Sequence, residues 1–445
     1  MQIEKNADKL EKTLKVLIKD APGYLGKFCT AIGQEGGSVG EIETVSLGLT
    51  HNTRDISIYV DDESHLREIL RAVTQLEGII VIEVVDEVLR RHQGGKIGMK
   101  SRYPLESIAD LRKIYTPGVA SVCRLIEADR EKAYEYTSIA NTVAIVTNGT
   151  AILGLGAIGP VAGMPVMEGK AVLLDRLAGV NGVPILLEDR GVDHFVEVVK
   201  AIARTFGAIN LEDVAAPGCF EIECRLDEAL DIPVMHDDQH GTAVVVLASL
   251  LNACRLAKIS LLDQTIGIVG LGAAGTGISG LLLSYGVKRL IGNDLKPEAM
   301  ERLEKAGGRR ETMEDVMALA DIVIATTGSP DLIKPEMVRS GQVVLALSNP
   351  NPEIRPEDAL AAGAAFATDG RYVNNALAFP GLFRGALNAR ARSIDNAMKI
   401  AAAETIASRA PEGELVPGLL DIEVHRAVAG AVEQAAHRSG LARRQ

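Results

Sequence analysis

Two six-residue segments of the chain, 154–159 and 270–275, place glycines at their first, third and sixth positions. In a loop between a strand and a helix, this GxGxxG spacing lets a phosphate group approach the unpaired N–H groups at the helix N-terminus. A side chain in place of a glycine would block that approach. The spacing alone is a weak signal, so the flanking sequence has to distinguish the two segments.

The flanking sequence favours 270–275 as a dinucleotide-binding loop. The apolar run TIGIV precedes it, the helix-like GTGISGLLLSYG opens inside it, and the strand-like KRLIGN ends at Asp294. An acidic residue about 20 positions after the loop can bind the ribose hydroxyls of NAD and repels the 2′-phosphate of NADP. The pattern therefore predicts a Rossmann-type domain that prefers NAD. NADP stays open because Lys296 could offset the repulsion, and Asp294 could also be an ordinary turn residue.

Two later apolar runs, DIVIA and QVVLAL, predict further buried parallel strands, and each is followed by polar residues. Ligands of such sheets bind at the carboxyl ends of the strands. The predicted cofactor-binding residues are therefore Gly270, Leu271, Gly272, Ala273, Ala274, Gly275, Asp294, Thr327 and Asn349.

The segment at 154–159 runs instead into Pro160 and Pro165. Because proline disrupts a helix interior, we expect turns rather than a helix after it. The segment belongs to an uncharged stretch, 136–167, which exceeds the roughly 20 residues that span a bilayer. Its glycines, prolines and polar side chains argue against one continuous membrane helix, so we expect a buried strand followed by tight turns.

Four further segments contain side chains suited to acid–base or metal chemistry. They are IYTPGVA around Tyr115, GMPVMEGKAVLL around Lys170, NLEDVAAP with Glu212 and Asp213, and MHDDQHGTA with Asp237 and Asp238. Taken singly, each has an ordinary structural interpretation: a packed tyrosine, a solvated lysine, acids at a helix N-terminus, and a solvated turn.

Zinc sites and disulfides are not expected. His236 and His240 are spaced to share a metal, but Asp237 breaks the HExxH pattern and Gly241 favours a turn. The five cysteines form no CxxC pair and are odd in number, as is typical of buried packing residues.

Composition and length describe a multidomain globular α/β protein. The chain has 445 residues, 47% hydrophobic residues and a formal net charge of −12, and this length predicts about three domains. An acidic chain without a basic stripe is a poor ligand for nucleic acid or a membrane surface. The charged N-terminus lacks the apolar core of a signal peptide, so we expect a cytoplasmic protein.

Residues 13–90 alternate short strand and helix patterns in the order βαββαβ. The turn DAPGYLG within this order resembles the ACT domain, a ferredoxin-like regulatory module that binds amino acids or other small metabolites. The resemblance implies that Asp20, Gly23 and Leu25 lie near an effector. A module that only dimerises is the alternative, with Asp20 as a helix N-cap and Gly23 as a turn residue.

Polar, glycine-containing residues from about 90 to 102 predict a linker. We place an ACT domain at 1–92, a substrate and metal domain at 93–255, a Rossmann domain at 256–392 and C-terminal helices at 393–445. The last segment is assigned from the helical composition of SIDNAMKIAAAETIASRAP and EVHRAVAGAVEQAAHRSG.

The four chemistry-bearing segments, followed by SNPNPE and YVNNALAFPGLFRGAL, occur in an order that resembles the malic enzymes. The resemblance covers nearly everything after the N-terminal module. It implies oxidative decarboxylation of L-malate to pyruvate and CO₂ with reduction of NAD, and a homodimer or higher even-numbered homo-oligomer. A malolactic enzyme, an oxaloacetate decarboxylase, or a metabolite sensor with a degenerate catalytic half are the alternatives.

At matching positions the resemblance implies specific roles. Lys170 would bind malate and remove its hydroxyl proton, and Tyr115 would protonate C3 of enolpyruvate. Because a free lysine has a pKa near 10.4, burial or a metal would have to lower it. The implied Mg²⁺ or Mn²⁺ ligands are Glu212, Asp213 and Asp238, with Asp237 supporting them, and the implied substrate contacts are Asn349, Asn374 and Asn375.

Two positions depart from the family pattern. Asn148 stands where the family often has an acidic residue, and Ala157 stands where it has Asp or Asn. Neither is among the groups assigned to the chemistry, so we expect an effect on substrate preference or efficiency and not on the reaction class.

Overall fold

The computed structural model describes residues 9–349, 351–371 and 373–443. The chain divides into two compact units, 1–98 and 99–445.

The first unit has the predicted order βαββαβ. Its elements are β1 (Leu10–Lys19), α1 (Tyr24–Gln34), β2 (Ser38–Ser46), β3 (His51–Val60), α2 (Glu63–Thr74), β4 (Ile79–Asp86) and a short helix α3 (Glu87–His92). The antiparallel sheet has the order β2-β3-β1-β4, which is the ferredoxin-like arrangement. Alternate residues of β1 and β3 are buried against α1 and α2, as a sheet with one covered face requires.

The loop between β1 and α1 is held by a buried asparagine. Asn52 donates Nδ2–H to Oδ1 of Asp20 at 3.0 Å, and its own Oδ1 accepts from the N–H of Gly48 at 3.2 Å. Asp20 is therefore not a helix N-cap. That position belongs to Gly23, whose φ of 89° suits glycine.

The second unit begins with three short helices and a parallel sheet. The helices are α4 (Ile108–Ile114), α5 (Val119–Ala128) and α6 (Ala133–Tyr136). Then follow β5 (Thr142–Thr147), α7 (Pro160–Ala178), β6 (Asn181–Leu186), α8 (Val192–Ile202), β7 (Ala208–Leu211), α9 (Gly218–Ala229), β8 (Val234–His236) and α10 (Asp237–Ala257). The strand order is β6-β5-β7-β8, and β5 is fully buried as predicted.

The expectation of turns after 154–159 is wrong, because α7 begins directly at Pro160. Proline at the first helical position loses only an N–H that would have no helical partner, and its fixed φ suits a helix. Pro165 lies inside the helix, which continues to Ala178 and ends at Gly179 with φ 62°. Proline disrupts a helix when it lies in the interior, as Pro165 does. In this protein the helix continues past Pro165 nevertheless.

A second parallel sheet has the predicted Rossmann architecture. Its elements are β9 (Thr265–Val269), α11 (Ala273–Tyr285), β10 (Arg289–Asn293), α12 (Pro297–Ala306), β11 (Arg309–Arg310), α13 (Met313–Leu319), β12 (Ile322–Ala325), β13 (Val343–Ala346), α14 (Pro356–Ala361) and β14 (Phe366–Asp369). The order β11-β10-β9-β12-β13-β14 is the 3-2-1-4-5-6 order of dinucleotide-binding folds. The order reverses between β9 and β12, and this is the point where such sheets bind ligands.

Three helices complete the second unit, α15 (Phe379–Asn388), α16 (Asn396–Arg409) and α17 (Ile422–Arg438). Helix α16 packs against α10, and α17 packs against α15 and α16. Helix α10 is buried along most of its length and joins the apolar cores of both parallel sheets. By length and composition α10 is the one described helix that could cross a membrane. Because two-thirds of its apolar window (67%) is buried inside the protein, it serves as a core helix.

Candidate active site

Lys170 lies on α7 with its side chain buried among carboxylates. Its Nζ donates a hydrogen bond to Oδ2 of Asp237 and lies 2.9 Å from Oε1 of Glu212. The ammonium also sits 4.6 Å from the ring centroid of Phe379. The lysine is 8% exposed, so it is not the solvated side chain that a single-residue interpretation would predict.

The pKa of Lys170 moves in the opposite direction to the one expected from burial. Burial favours the neutral amine, but Asp237, Glu212 and Asp238 outweigh it and raise the pKa above its usual range. Burial alone therefore does not produce a free base here. A lower pKa requires a change in the charge of these carboxylates.

Glu212, Asp213 and Asp238 form a cluster that could hold a metal ion, since each offers an oxygen and these oxygens lie within 4.8 Å of one another. Glu212 and Asp213 follow β7, and Asp238 lies in the first turn of α10. The N–H of Asp213 donates to Oδ2 of Asp238 at 2.9 Å. Oδ2 of Asp213 is buried without a hydrogen-bond partner, as expected of an oxygen placed for a cation.

The acids of this cluster differ in pKa. Burial, together with the charge of Asp238, raises the pKa of Asp213 to about 7. Burial also raises the pKa of Asp237 to about 6 and that of Glu212 well above its usual value. Burial likewise opposes ionisation of Asp238, but His236 outweighs it and lowers the pKa of Asp238. Asp238 is therefore ionised, whereas the raised pKa values of the other three acids favour bound protons that a cation would have to displace.

Gly241 is required by the close approach of Asp237. A Cβ at Gly241 would lie 1.8 Å from Oδ1 of Asp237, far inside van der Waals contact. Gly241 therefore does not form the expected turn. It lies within α10 and leaves space for the carboxylate that contacts Lys170.

A buried network behind the cluster was not predicted from the sequence. Glu223 on α9 accepts from the N–H of His236 at 2.7 Å and lies 3.0 Å from Nε2 of His240. Nζ of Lys399, on α16, lies 3.0 Å from Nδ1 of the same histidine. The imidazole of His240 is thus occupied by Glu223 and Lys399, whereas Nε2 of His236 lies 3.3 Å from Oδ2 of Asp238. No described group of residues combines them in a zinc site.

The second glycine loop leaves space for a ligand at one position. Gly270 has φ 93°, and a Cβ there would meet the Thr326 carbonyl at 2.7 Å, while a Cβ at Gly275 would meet the Gly270 carbonyl at 1.9 Å. A Cβ at Gly272 meets nothing within 4 Å. The structure of the loop itself thus requires two glycines, and the third leaves open the approach to the N-terminus of α11.

Asp294 follows β10 and faces this loop. Its Oδ2 accepts from the N–H of Leu271 at 2.6 Å, and its Oδ1 accepts from the N–H of Lys296 at 2.8 Å. The acid thus stands beside the glycine loop, at the end of the second Rossmann strand, where a ribose hydroxyl would meet it. Ala273 and Ala274 form the first turn of α11.

The remaining predicted residues lie at loops of the same unit. Thr327 follows β12, and Asn349 follows β13 and is exposed. Asn374 caps a short 3₁₀ turn, Asn375–Leu377, by accepting from the N–H of Ala376 at 2.9 Å. The Cβ of Asn375 lies 3.2 Å from the position of a Cβ on Gly241. This places Asn375 beside the first turn of α10, which begins at Asp237.

Tyr115 is not brought to this cluster. It caps the C-terminus of α4, its side chain is 65% exposed, and it makes no side-chain hydrogen bond to a described residue. Of the two positions that depart from the family pattern, Asn148 is buried beside the site and donates to Asp189 at 3.4 Å, while Ala157 is exposed.

The chain matches two family models, "Malic enzyme, N-terminal domain" over 95–227 and "Malic enzyme, NAD binding domain" over 239–307. It is 56% identical to NAD-dependent malic enzyme 1 of Bacillus subtilis, over 96% of this chain and 97% of the relative. A bifunctional malic/malolactic enzyme of the same organism is 45% identical over 80% of this chain and 94% of the relative.

Among solved structures, the malic enzyme of Pyrococcus horikoshii has a TM-score of 0.75 and 42% identity, covering 79% of this chain and 89% of that chain. The resemblance that the sequence motifs suggested is therefore confirmed. This chain belongs to the malic enzyme family.

Proposed function

We propose that the protein catalyses the metal-dependent oxidative decarboxylation of L-malate to pyruvate and CO₂, with NAD as the hydride acceptor. The observation that carries the proposal is the buried contact of Lys170 with Asp237 and Glu212, next to three carboxylates that can share a cation. A Rossmann sheet with an acid after its second strand, in the same unit, supports NAD over NADP.

Lys170 is the residue placed to accept the C2 hydroxyl proton of malate while the C2 hydride passes to the nicotinamide. The amine must be neutral to accept this proton, whereas the surrounding acids favour its charged form. A divalent cation held by Glu212, Asp213 and Asp238 would offset their negative charge and polarise the C2 oxygen during decarboxylation. Asp237, in direct contact with Nζ, orients the lysine.

The donor set fits Mg²⁺ or Mn²⁺. All three proposed ligands are carboxylates, and hard cations of this kind prefer oxygen. The unpartnered, buried Oδ2 of Asp213 supports the assignment. Asn349, Asn374 and Asn375 are proposed to contact the substrate with neutral amides, Asn375 being the one held next to the Asp237 turn.

We propose that Tyr115 protonates C3 of enolpyruvate and reaches the site only in a homo-oligomer. Helices α4, α5 and α6 contain no buried residue. Their segment exposes apolar side chains that a second copy would cover, namely Tyr103, Leu105, Ile108, Ile114, Tyr115 and Leu125.

Mixing two inactive variants tests this arrangement. If Tyr115 acts across an interface, Tyr115→Phe and Lys170→Ala chains, unfolded and refolded together, regain activity that neither has alone, because one site of the mixed dimer is intact. If both residues act within one chain, the mixture stays inactive.

For the first unit we propose an ACT-type regulatory role, supported by its βαββαβ order and by the Asp20–Asn52 contact that shapes the loop after β1. Screening amino acids and small metabolites for a change in malate kinetics tests the role. An effector whose action is lost in Asp20→Ala, with basal kinetics unchanged, supports it, whereas no response across the screen contradicts it.

The activity itself is tested with L-malate, Mn²⁺ and NAD⁺ or NADP⁺ in parallel, followed by assays for pyruvate and lactate. We expect NADH and pyruvate to form in equal amounts, and NADP⁺ to react more slowly. Lactate without net NADH would instead favour malolactic chemistry, which the name of one relative makes a specific alternative.

A further inference from the structure

Glu353 is a fully buried carboxylate that lies outside the Lys170 and metal cluster. It is 0% exposed and accepts four hydrogen bonds from two residues. Its Oε1 accepts from the N–H of Thr327 at 2.6 Å, from Oγ1 of Thr327 at 2.9 Å and from Oγ of Ser348 at 2.6 Å. Its Oε2 accepts from the N–H of Ser348 at 3.3 Å. Burying a carboxylate is costly unless such donors surround it, so its position is specific.

These two residues lie where the Rossmann sheet binds its ligand. Thr327 comes shortly after β12 and Ser348 shortly after β13, and the two strands are parallel neighbours. Strand β12 also pairs with β9, which leads into the glycine loop. Thr326 joins the two ends directly, since its Oγ1 donates to the carbonyl of Gly270 at 3.0 Å. Glu353 therefore ties the end of β12 to the end of β13, next to the β9–β12 pair where the strand order reverses.

The same contacts determine what the β12 loop can offer a cofactor. Both donors of Thr327, its N–H and its hydroxyl, are directed to Glu353, so its carbonyl oxygen and methyl group remain for a ligand. The N–H of Gly328, at φ 70°, donates to Oγ of Ser348 at 2.8 Å. The next residue after Ser348 is Asn349, whose Nδ2 would lie 2.7 Å from a Cβ on Gly370. The two loops are thus joined in two ways, directly by the Gly328–Ser348 hydrogen bond and through the side chain of Glu353.

We propose that Glu353 is a positioning residue for NAD, acting through Thr327 and Ser348 to hold the two loops that receive the nicotinamide half of the cofactor. The inference rests on the proposed function, because it takes NAD to be the ligand of this sheet. It assigns no contact between Glu353 and the cofactor. The expected signature is therefore a loss of cofactor affinity with an intact metal and malate site.

Glu353→Ala, Glu353→Gln and a control, Gln342→Ala, test the proposal. Gln342 is also 0% exposed, but it lies at the amino end of β13. Its Oε1 accepts from the N–H of Arg339, and its Nε2 donates to the carbonyls of Met317 and Ala320. Both side chains are thus buried, polar and hydrogen-bonded beside the same sheet. Glu353 lies at the carboxyl ends of the strands, and Gln342 lies at the amino end of β13.

We expect Glu353→Ala to raise the Kd for NAD, titrated without malate or metal, on the order of ten-fold. The affinity for Mn²⁺, measured without cofactor, should stay at the wild-type value. Glu353→Gln should lose less NAD affinity than Glu353→Ala, because the amide carbonyl can take the place of Oε1 and accept two of the three shorter bonds. Gln342→Ala should lower the melting temperature without changing the Kd for NAD.

A merely structural role predicts that Glu353→Ala and Gln342→Ala both lower the melting temperature and leave the Kd for NAD unchanged, and that outcome would overturn the proposal. If Glu353→Ala does not fold, Ser348→Ala, which removes one donor to Glu353, replaces it, and an unchanged Kd for NAD in Ser348→Ala would then overturn the proposal. If the wild-type protein binds NAD but does not oxidise malate, the proposed function is refuted. The role of Glu353 would then still be tested by the NAD titration of its variants.

Discussion

The two parallel sheets of the second unit use the carboxyl ends of their strands in different ways. The β5–β8 sheet ends in ionisable side chains packed against each other, with Lys170, Glu212 and Asp237 all less than a tenth exposed. The β9–β14 sheet ends in a glycine loop and backbone N–H groups, several of which donate to the acids Asp294 and Glu353. Proton transfer and metal binding need charges whose pKa values depend on each other, whereas binding a dinucleotide needs donors and open space.

The two GxGxxG segments show the same difference. The first is followed by a helix that carries Lys170 at a buried position, and its Gly156 and Gly159 have φ values of 78° and 87°. In the second, Gly272 has an ordinary φ of −69° and stands next to open space. Backbone conformation requires glycine in both loops, but only the second loop has a glycine, Gly272, whose ordinary φ and open surroundings leave ligand approach as its role. Variants at the two sheets should therefore separate chemistry from cofactor binding.

The largest effect is expected for Lys170→Ala. Loss of a general base lowers kcat on the order of a hundred- to ten-thousand-fold, while the Kd for NAD should remain unchanged because the second sheet is intact. Steady-state kinetics and a direct NAD titration measure the two quantities. The exposed Lys200→Ala, on α8, serves as the control and should match the wild type; a parallel loss of NAD affinity in Lys170→Ala would remove the division between the sheets.

Asp238→Asn should weaken Mn²⁺ binding by at least about ten-fold, since it removes a charged ligand that His236 keeps ionised. Titration of Mn²⁺ without cofactor measures the affinity. The control is Asp227→Asn, which changes an acid outside the cluster, on helix α9 between β7 and β8. Equal Mn²⁺ affinities for the wild type and Asp238→Asn would contradict the assignment of the metal ligands.

The glycine loops are compared directly by Gly272→Ala and Gly156→Ala. The first should raise the Kd for NAD roughly ten-fold with no loss of stability, because its Cβ enters open space at the helix N-terminus. The second should lower the free energy of unfolding by about 1–3 kcal/mol, since alanine is strained at that conformation, and should leave NAD affinity unchanged. The opposite assignment of effects would show that the first loop binds the dinucleotide.

The smallest expected effect is a pH dependence of stability without metal. Asp213 and Asp237 have folded-state pKa values of about 7 and about 6, above their unfolded values. Between the unfolded and folded pKa these two acids bind more protons in the folded protein, so the stability that they contribute is fully present below the unfolded pKa and is lost as pH rises through 6 to 7. Mn²⁺ should therefore raise the melting temperature more at pH 8 than at pH 6. An equal rise at both pH values would contradict the inference that Asp213 must lose a proton before it binds the metal.

Local patterns predicted the Rossmann sheet well because its signal is contiguous: a strand, a glycine loop, a helix and Asp294 within one short segment. The start of α7 was missed because proline was treated as a helix breaker without regard to its position. The pKa of Lys170 could not be predicted, since its direction depends on three acids that are distant in sequence. Glu223 carried no sequence signal, and Glu353, although it ends the SNPNPE segment, carried none for its role, because both roles depend on tertiary contacts.

Helix α10 links the two sheets. Its first turn carries Asp237 and Asp238, and its 21 residues make a rod about 30 Å long. Where it crosses α11, a Cβ on Gly277 would lie 2.3 Å from the carbonyl oxygen of Gln239, so the two backbones are nearly in contact. The N-terminal half of α11, which follows the glycine loop, and the first turn of α10, which carries the two aspartates, are therefore fixed against each other. The two sites are joined by a contact that has no room for one additional methyl group.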